Sequence, residues 1–309
     1  MAKADSSTPS PEVSRRPLDG LAIGISVSNS DDLANFGYTG DDVNRVTVRL
    51  CEALLEAGAR LVFGHDWRPD GVMDAICRSA VKHQPPMQKG QSKPLLLSLL
   101  PWPDQPRLDP DVRRDLEQRG VMRIESVGLP EGEMPTTDKD ELRAVALSHL
   151  RRKLAEQTDA RVCLGGKEKG VQGFYAGVVE EAYNAAREGK PVYVGTFLGG
   201  AAAKVASYLR PAAGARATRS IDVFAPKSRG DKKDVPKTRA IIYDADEENL
   251  SAGFDSVELQ KNSGLSTEDW QRLLEAPDVE TFSALVIRGL KQRRLAAKAP
   301  TKSARRRSR

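Results

Sequence analysis

Residues 162–182 read VCLGGKEKGVQGFYAGVVEEA. An apolar run, Val162 to Leu164, gives way to Gly165, Gly166, Gly170, Gly173 and Gly177 before a pattern that looks helical. Glycine costs backbone entropy and reaches dihedral angles that other residues avoid. A cluster of them therefore marks a forced turn or the close approach of a ligand. A buried strand turning through glycine into a helix is the building unit of an open parallel sheet, and the rest of the chain repeats it.

Gly20 to Ser30 (GLAIGISVSNS) reads as a buried first strand that turns polar at its C-terminal end. Asp41 to Ala57 places Val43, Val46, Leu50 and Leu54 near helical spacing, with Gly58 as the stop. Further strands are expected at 60–66, 94–101, 121–127, 160–164 and 191–198. The helices expected between them span 70–81, 109–119, 138–157 and the stretch up to Glu188, with another after Gly199 and Gly200. Several of these strands are apolar throughout. That combination predicts an α/β, Rossmann-like parallel sheet with helices on both faces. The expected organisation is a disordered leader over 1–18, a ligand-binding domain over 19–210 and a basic linker over 211–240. A helical extension over 241–291, with Ser266 and Asp278 as caps, would pack on the domain, and 292–309 would be a disordered basic tail.

The chain has 309 residues, 39% of them hydrophobic and 29% charged, which suits a globular body with a sizeable core. No apolar run approaches the roughly 20 residues that span a bilayer. The N-terminus, MAKADSSTPSPEVSRRP, lacks the apolar core of a signal peptide, so a cytoplasmic location is expected. Cys51, Cys77 and Cys163 are widely spaced, each in an apolar setting, and read as reduced packing residues. No His/Cys/Asp/Glu group has metal-ligand spacing, and no cofactor is expected. The tail from Gln292 holds eight Lys/Arg and no acid, so removing it from the net charge of +5 leaves −3 for the body. Nucleic acid is accordingly the least favoured partner.

Ligands of open parallel sheets bind beyond the carboxyl ends of the strands. Three loops on that edge carry candidate residues: Ser26, Ser28 and Asn29 after the first strand; Gly64, His65, Asp66 and Gly71 after the second; Gly165, Gly166, Lys167, Gly170, Gly173 and Gly177 in the glycine cluster. Gly199 and Gly200 form a further turn of this kind. Backbone N–H groups at a helix start form a ready anion site, to which Lys167 would add charge. The pattern is neither a P-loop nor a GxGxxG fingerprint, and a purely geometric role for the glycines stays open. Glu180 and Glu181 both fall on the polar side of the helix that follows. Each is either a solvated first-turn carboxylate or a group facing a bound ribose.

These residues resemble the SLOG superfamily, the Rossmann-like group that includes the Smf proteins and the lonely-guy nucleotide hydrolases. The resemblance rests on ISVSNSDDL with GYTGDDVNR, on RLVFGHDWRPDGVMDAI, and on LGGKEKGVQGFYAGVVEEAYNAAREGKPVYVGTFLGGAA. Within it the chain is similar to the family associated with TIR and nucleoside-phosphorylase domains. The resemblance implies a nucleotide-derived ligand, a role in a stress or phage-defence system, a TIR or other effector as partner, and homo-oligomers. Gly165-Gly166, Gly177 and Glu181 can stand for the lonely-guy GG, G and E, with Glu181 in the catalytic role. Residues 167–176 are inserted, however, Val178 replaces a threonine, and the catalytic arginine of those enzymes has no assignable position. Three readings follow: a sensor that binds an ADP-ribose-like or cyclic nucleotide, an N-glycosidase acting on a nucleotide, and an Smf-like DNA binder.

Overall fold

The computed structural model describes residues 16–64, 72–84, 93–132, 137–169, 171–210, 218–219 and 254–298. Strands β1 (Ala22–Ser28), β2 (Arg60–Phe63), β3 (Leu96–Pro101), β4 (Met122–Val127), β5 (Ala160–Gly165) and β6 (Val192–Gly195) form one sheet. Their order is β4-β3-β2-β1-β5-β6, and every neighbouring pair is parallel. The crossovers are α1 (Gly40–Glu56), α2 (Val72–His83), α3 (Pro110–Gln118), α4 (Lys139–Glu156) and α5 (Gly177–Arg187), with α6 (Gly200–Leu209) after β6. This is a Rossmann-like α/β fold. The chain builds outward from β1 to β4, then α4 carries it back to lay β5 on the other side of β1. The direction of winding therefore reverses between β1 and β5, and a crevice opens at their carboxyl ends.

Local chemistry starts the helices where the sequence places them. Thr39 and Asp42 close a capping box on α1, and Asp109 and Asp138 each accept two first-turn N–H groups of α3 and α4. The register sets Gly24 beside Arg161 and Ser26 beside Cys163. Side chains alternate along a strand, so these four residues share the face covered by α5. On the opposite face Ile23, Ile25, Val162 and Leu164 join Leu50 and Leu54 of α1 in the main core. Leu150 and Leu154 of α4 pack on Ala22 and Val62 in a smaller cluster.

Beyond α6, β7 (Thr218–Arg219) pairs antiparallel with β8 (Phe254–Asp255). Then follow α7 (Ser256–Ser263), α8 (Thr267–Leu274) and α9 (Val279–Lys298). Ser266 caps α8, and Asp278 accepts from Thr281 N at 2.7 Å. These helices dock on the β6 end of the body. Tyr193 Oη donates to the Ser263 carbonyl at 2.6 Å, and Phe282 meets Phe197 edge-on at 5.9 Å between ring centroids. Two expected boundaries move. Leu18 is fully buried and its N–H donates to the Ala57 carbonyl, so order reaches into the stretch assigned to the leader. Helix α9 continues to Lys298, into the expected disordered tail, because Arg293 and Arg294 donate to the carbonyls of Asn262 and Pro17. Most of 211–240 lies outside the described residues. Among those described, no helix is long and apolar enough to cross a membrane.

Phe282 is wholly buried where α9 meets Phe197 and Gly195. Phe282→Ala is expected to cost about 3–5 kcal/mol in a urea titration. A loss below about 1 kcal/mol would show that the extension is not docked through this ring.

Candidate functional site

A guanidinium lies buried beneath the crevice between β1 and β5. Arg161, the second residue of β5, is fully buried. Its Nη1 donates to Glu181 Oε2 of α5 at 3.0 Å and lies 3.4 Å from Ser26 Oγ of β1. Ser26 Oγ donates to the same Glu181 oxygen. Three elements that the chain brings together from afar thus converge on one carboxylate. Arg161 fits because its partner across the ladder has no side chain: a Cβ on Gly24 would overlap Arg161 Cζ and lie 2.6 Å from Nε. A glycine inside a strand commonly marks such a close approach. Among the described residues Arg161 Nε and Nη2 meet no acceptor. Buried donors left unpaired cost about 1–3 kcal/mol each.

A second arginine explains two of the five glycines. Arg151 of α4 pairs with Glu180, whose side chain is 0% exposed. Its guanidinium fills the space over the loop into α5: a Cβ on Gly173 or Gly177 would run into Arg151 Nη1 or Nη2. Glu180 is therefore no ligand group, contrary to the expectation from its helical position. Helix α5 is covered by α4 as well as by the sheet, so its buried arc is wider than the apolar residues alone suggest.

The glycines at the end of β5 also serve the chain itself. Gly165 and Gly166 have φ of +61° and +97°, a region that side chains rarely enter. The Gly166 N–H donates to the Ser28 carbonyl at 2.9 Å, and its carbonyl accepts from Ala201 N at 3.0 Å. A Cβ there would sit 2.8 Å from Val178 Cγ2. Gly166 thus offers no N–H to a phosphate. Gly199 and Gly200 lie outside the crevice, where the Gly200 N–H donates to Asp32 Oδ1 at 2.9 Å. Asp31 Oδ2 accepts from the Glu168 and Lys169 N–H groups, both at 3.1 Å. Carboxylates of the first loop thus fill two of the backbone anion positions. Thr39, followed by Arg45, holds Asp42 down at about 2, so an internal anion also occupies the start of α1. The start of α5 differs: its N-cap is Ala176 and no side chain caps it.

That helix start opens on a cleft of about 500 Å³ at the switch point. Ser26, Ser28, Asn29, Gly64, Lys167, Gly177 and Glu181 line it, so the structure brings these predicted residues together. Gly165 lies at the Ser28 carbonyl, and Gly173 belongs to the Arg151 contact. His65, Asp66, Gly71 and Gly170 lie outside the described residues. Val43, Phe63, Val72 and Met73 give the cleft an apolar wall. Cys163 lies opposite Ser26 on the neighbouring strand, with its thiol toward the Val178 carbonyl at 3.9 Å. Burial pushes that thiol up to about 12, with Glu181 adding to the shift, so it is no nucleophile near neutral pH. Among the described residues no group of His, Cys, Asp and Glu gathers where it could hold a metal ion.

The profile of a protein family described as SLOG cluster2 matches residues 17–273. The chain belongs to the SLOG cluster2 family. That description agrees with the superfamily resemblance of the motifs and says nothing of TIR domains. The match covers α7 and α8 as well as the sheet. No curated protein matches the chain. Among solved structures it is similar to the X-ray structure of TM1055, a structural genomics target, with 14% identity. That likeness covers 60% of this chain and 81% of the other, at a TM-score of 0.36.

Sequence reasoning missed both arginines of this SLOG cluster2 chain. Arg161 was hidden by its strand, ARVCLG, which is otherwise apolar, and Arg151 by the length and mixed polarity of α4. The available signals were an arginine inside a buried strand and a glycine inside another, Gly24.

Gly166→Val tests the reading of the glycine turn. Forcing a β-branched residue to a positive φ against Val178 should lower the melting temperature without any ligand. About 2–4 °C is expected for each kcal/mol of strain in a protein of this size. Unchanged melting would mean that the turn relaxes freely and that Gly166 is not required by the fold.

Proposed function

We propose that this protein binds a nucleotide-derived small molecule in the β1–β5 crevice and serves as a sensor. The observation that carries the reading is an uncapped helix start and, about one turn on in the same helix, a fixed carboxylate, Glu181, both lining a cleft that Lys167 also lines. A phosphate would sit at the α5 N-terminus, where backbone N–H groups and the helix dipole favour an anion. Ribose hydroxyls would donate to Glu181, and a base would lie against the wall of Val43, Phe63 and Met73. A cleft of about 500 Å³ falls within the usual range for small-molecule sites. In a stress or phage-defence setting, a separate effector such as a TIR protein would receive the signal.

A second reading is favoured by the same carboxylate. Ser26 and Arg161 hold Glu181 Oε2 at the cleft wall, so that Oε1 would face the charge that forms on a ribose as its bond to a base breaks. The chain would then be an N-glycosidase using water to release the base. Free base appearing from a nucleotide panel, and lost in Glu181→Gln, would favour this over a sensor.

Thermal-shift screening against AMP, GMP, ADP-ribose and cyclic ADP-ribose variants tests the common claim. At least one phosphorylated nucleoside should stabilise the folded protein, and no stabilisation by any of them would overturn the proposal. The phosphate end has its own test. Lys167→Ala should weaken AMP about tenfold or more, as expected for a lost charge-assisted contact, while adenosine binding barely changes. Equal losses for AMP and adenosine would place the phosphate away from Lys167.

A further inference from the structure

We infer that Arg161 is a positioning residue, kept in the sheet to hold Glu181 with one oxygen tied down and the other turned toward a ligand. The inference rests on the nucleotide-binding reading above and concerns a residue that never reaches the cleft itself.

Packing does not account for this side chain. Arg161 is fully buried between β1 and α5, and two of its three guanidinium nitrogens find no acceptor among the described residues. A buried ion pair of this kind adds little or nothing to stability compared with apolar residues of similar volume, and unpaired donors make the comparison worse. The sheet also gives up a side chain at Gly24 to make room for the guanidinium. What Arg161 does accomplish is specific. Its Nη1 meets Glu181 Oε2 and Ser26 Oγ together, so α5 is pinned to β1 and β5 where the crevice opens. Both contacts fall on Oε2, which leaves Oε1 without either of these donors and fixes the rotamer of a side chain that is only 14% exposed. A carboxylate fixed in this way loses no rotamer freedom on binding. Lys167 lines the same cleft but is exposed, whereas Arg161 is fully buried. Glu180, the neighbouring carboxylate, is turned toward Arg151 and does not compete.

A double-mutant cycle read by titration calorimetry decides the matter, with AMP as probe or ADP-ribose where the screen ranks it higher. Arg161→Leu should weaken binding about tenfold, within the usual coupling of contacting residues, and should lower the apo melting temperature, because it leaves the mostly buried Glu181 without its cation. In a Glu181→Gln background the same change should have almost no further effect, because Arg161 then has no carboxylate to hold. Gly24→Ala, which pushes the guanidinium aside without altering any charge, should reproduce the weakening in the wild-type background. Wild-type affinity in Arg161→Leu would overturn the inference. So would an equal loss in both backgrounds, since Arg161 would then act on the ligand or the fold independently of Glu181. Failure of the wild-type protein to bind either probe would overturn the nucleotide reading itself and this role with it.

Discussion

The buried contact of Arg161 with Glu181 and Ser26 is the constraint around which this end of the molecule is arranged. An arginine in the middle of a parallel sheet needs room and an anion. Gly24 supplies the room, because a Cβ there would overlap the guanidinium. Helix α5 supplies the anion, and its path is set accordingly: Glu181 must reach down to β5 while Val178, one turn earlier, closes over Gly166. The carboxylate at the cleft wall and the tight turn of the glycine loop are thus consequences of one packing arrangement.

The glycine-rich stretch divides into parts with different physical reasons. Gly165 and Gly166 turn the chain at positive φ, and the polar atoms of Gly166 are spent on Ser28 and Ala201. Gly173 and Gly177 make room for Arg151. Around them, Asp31 and Asp32 occupy backbone donors that would otherwise attract a phosphate. The start of α5 carries no side-chain cap, and it lines the same cleft as Lys167 and the carboxylate that Arg161 holds.

The fold was legible because its signals are local. Strands such as PLLLSLLP are apolar along their length, Asp109, Asp138 and Ser266 announce helix starts, and strand–helix alternation implies a parallel sheet. The edge that carries the candidate cleft followed from that topology, and Ser26, Asn29, Gly177 and Glu181 line it. What could not be read depends on partners far apart in sequence. Glu180 and Glu181 look alike on a helical wheel, and they differ only because Arg151, 29 residues upstream, claims the first and Arg161 the second. The Gly24–Arg161 pairing needs the register of β1 against β5, which no window of sequence contains. Likewise, the N–H groups at 168–169 look available until Asp31 is brought 137 and 138 positions along the chain to meet them.

The central claim is that the crevice between β1 and β5 holds the ligand with its phosphate at the start of α5. A crystal structure of the full chain grown with AMP tests this most directly. The account predicts phosphate density against the backbone of Gly177 and Val178, ribose hydroxyls on Glu181 Oε1, and Asp31 and Asp32 still on their backbone donors. AMP bound at the C-terminal helices, or a phosphate displacing Asp32 from the start of α6, would contradict it.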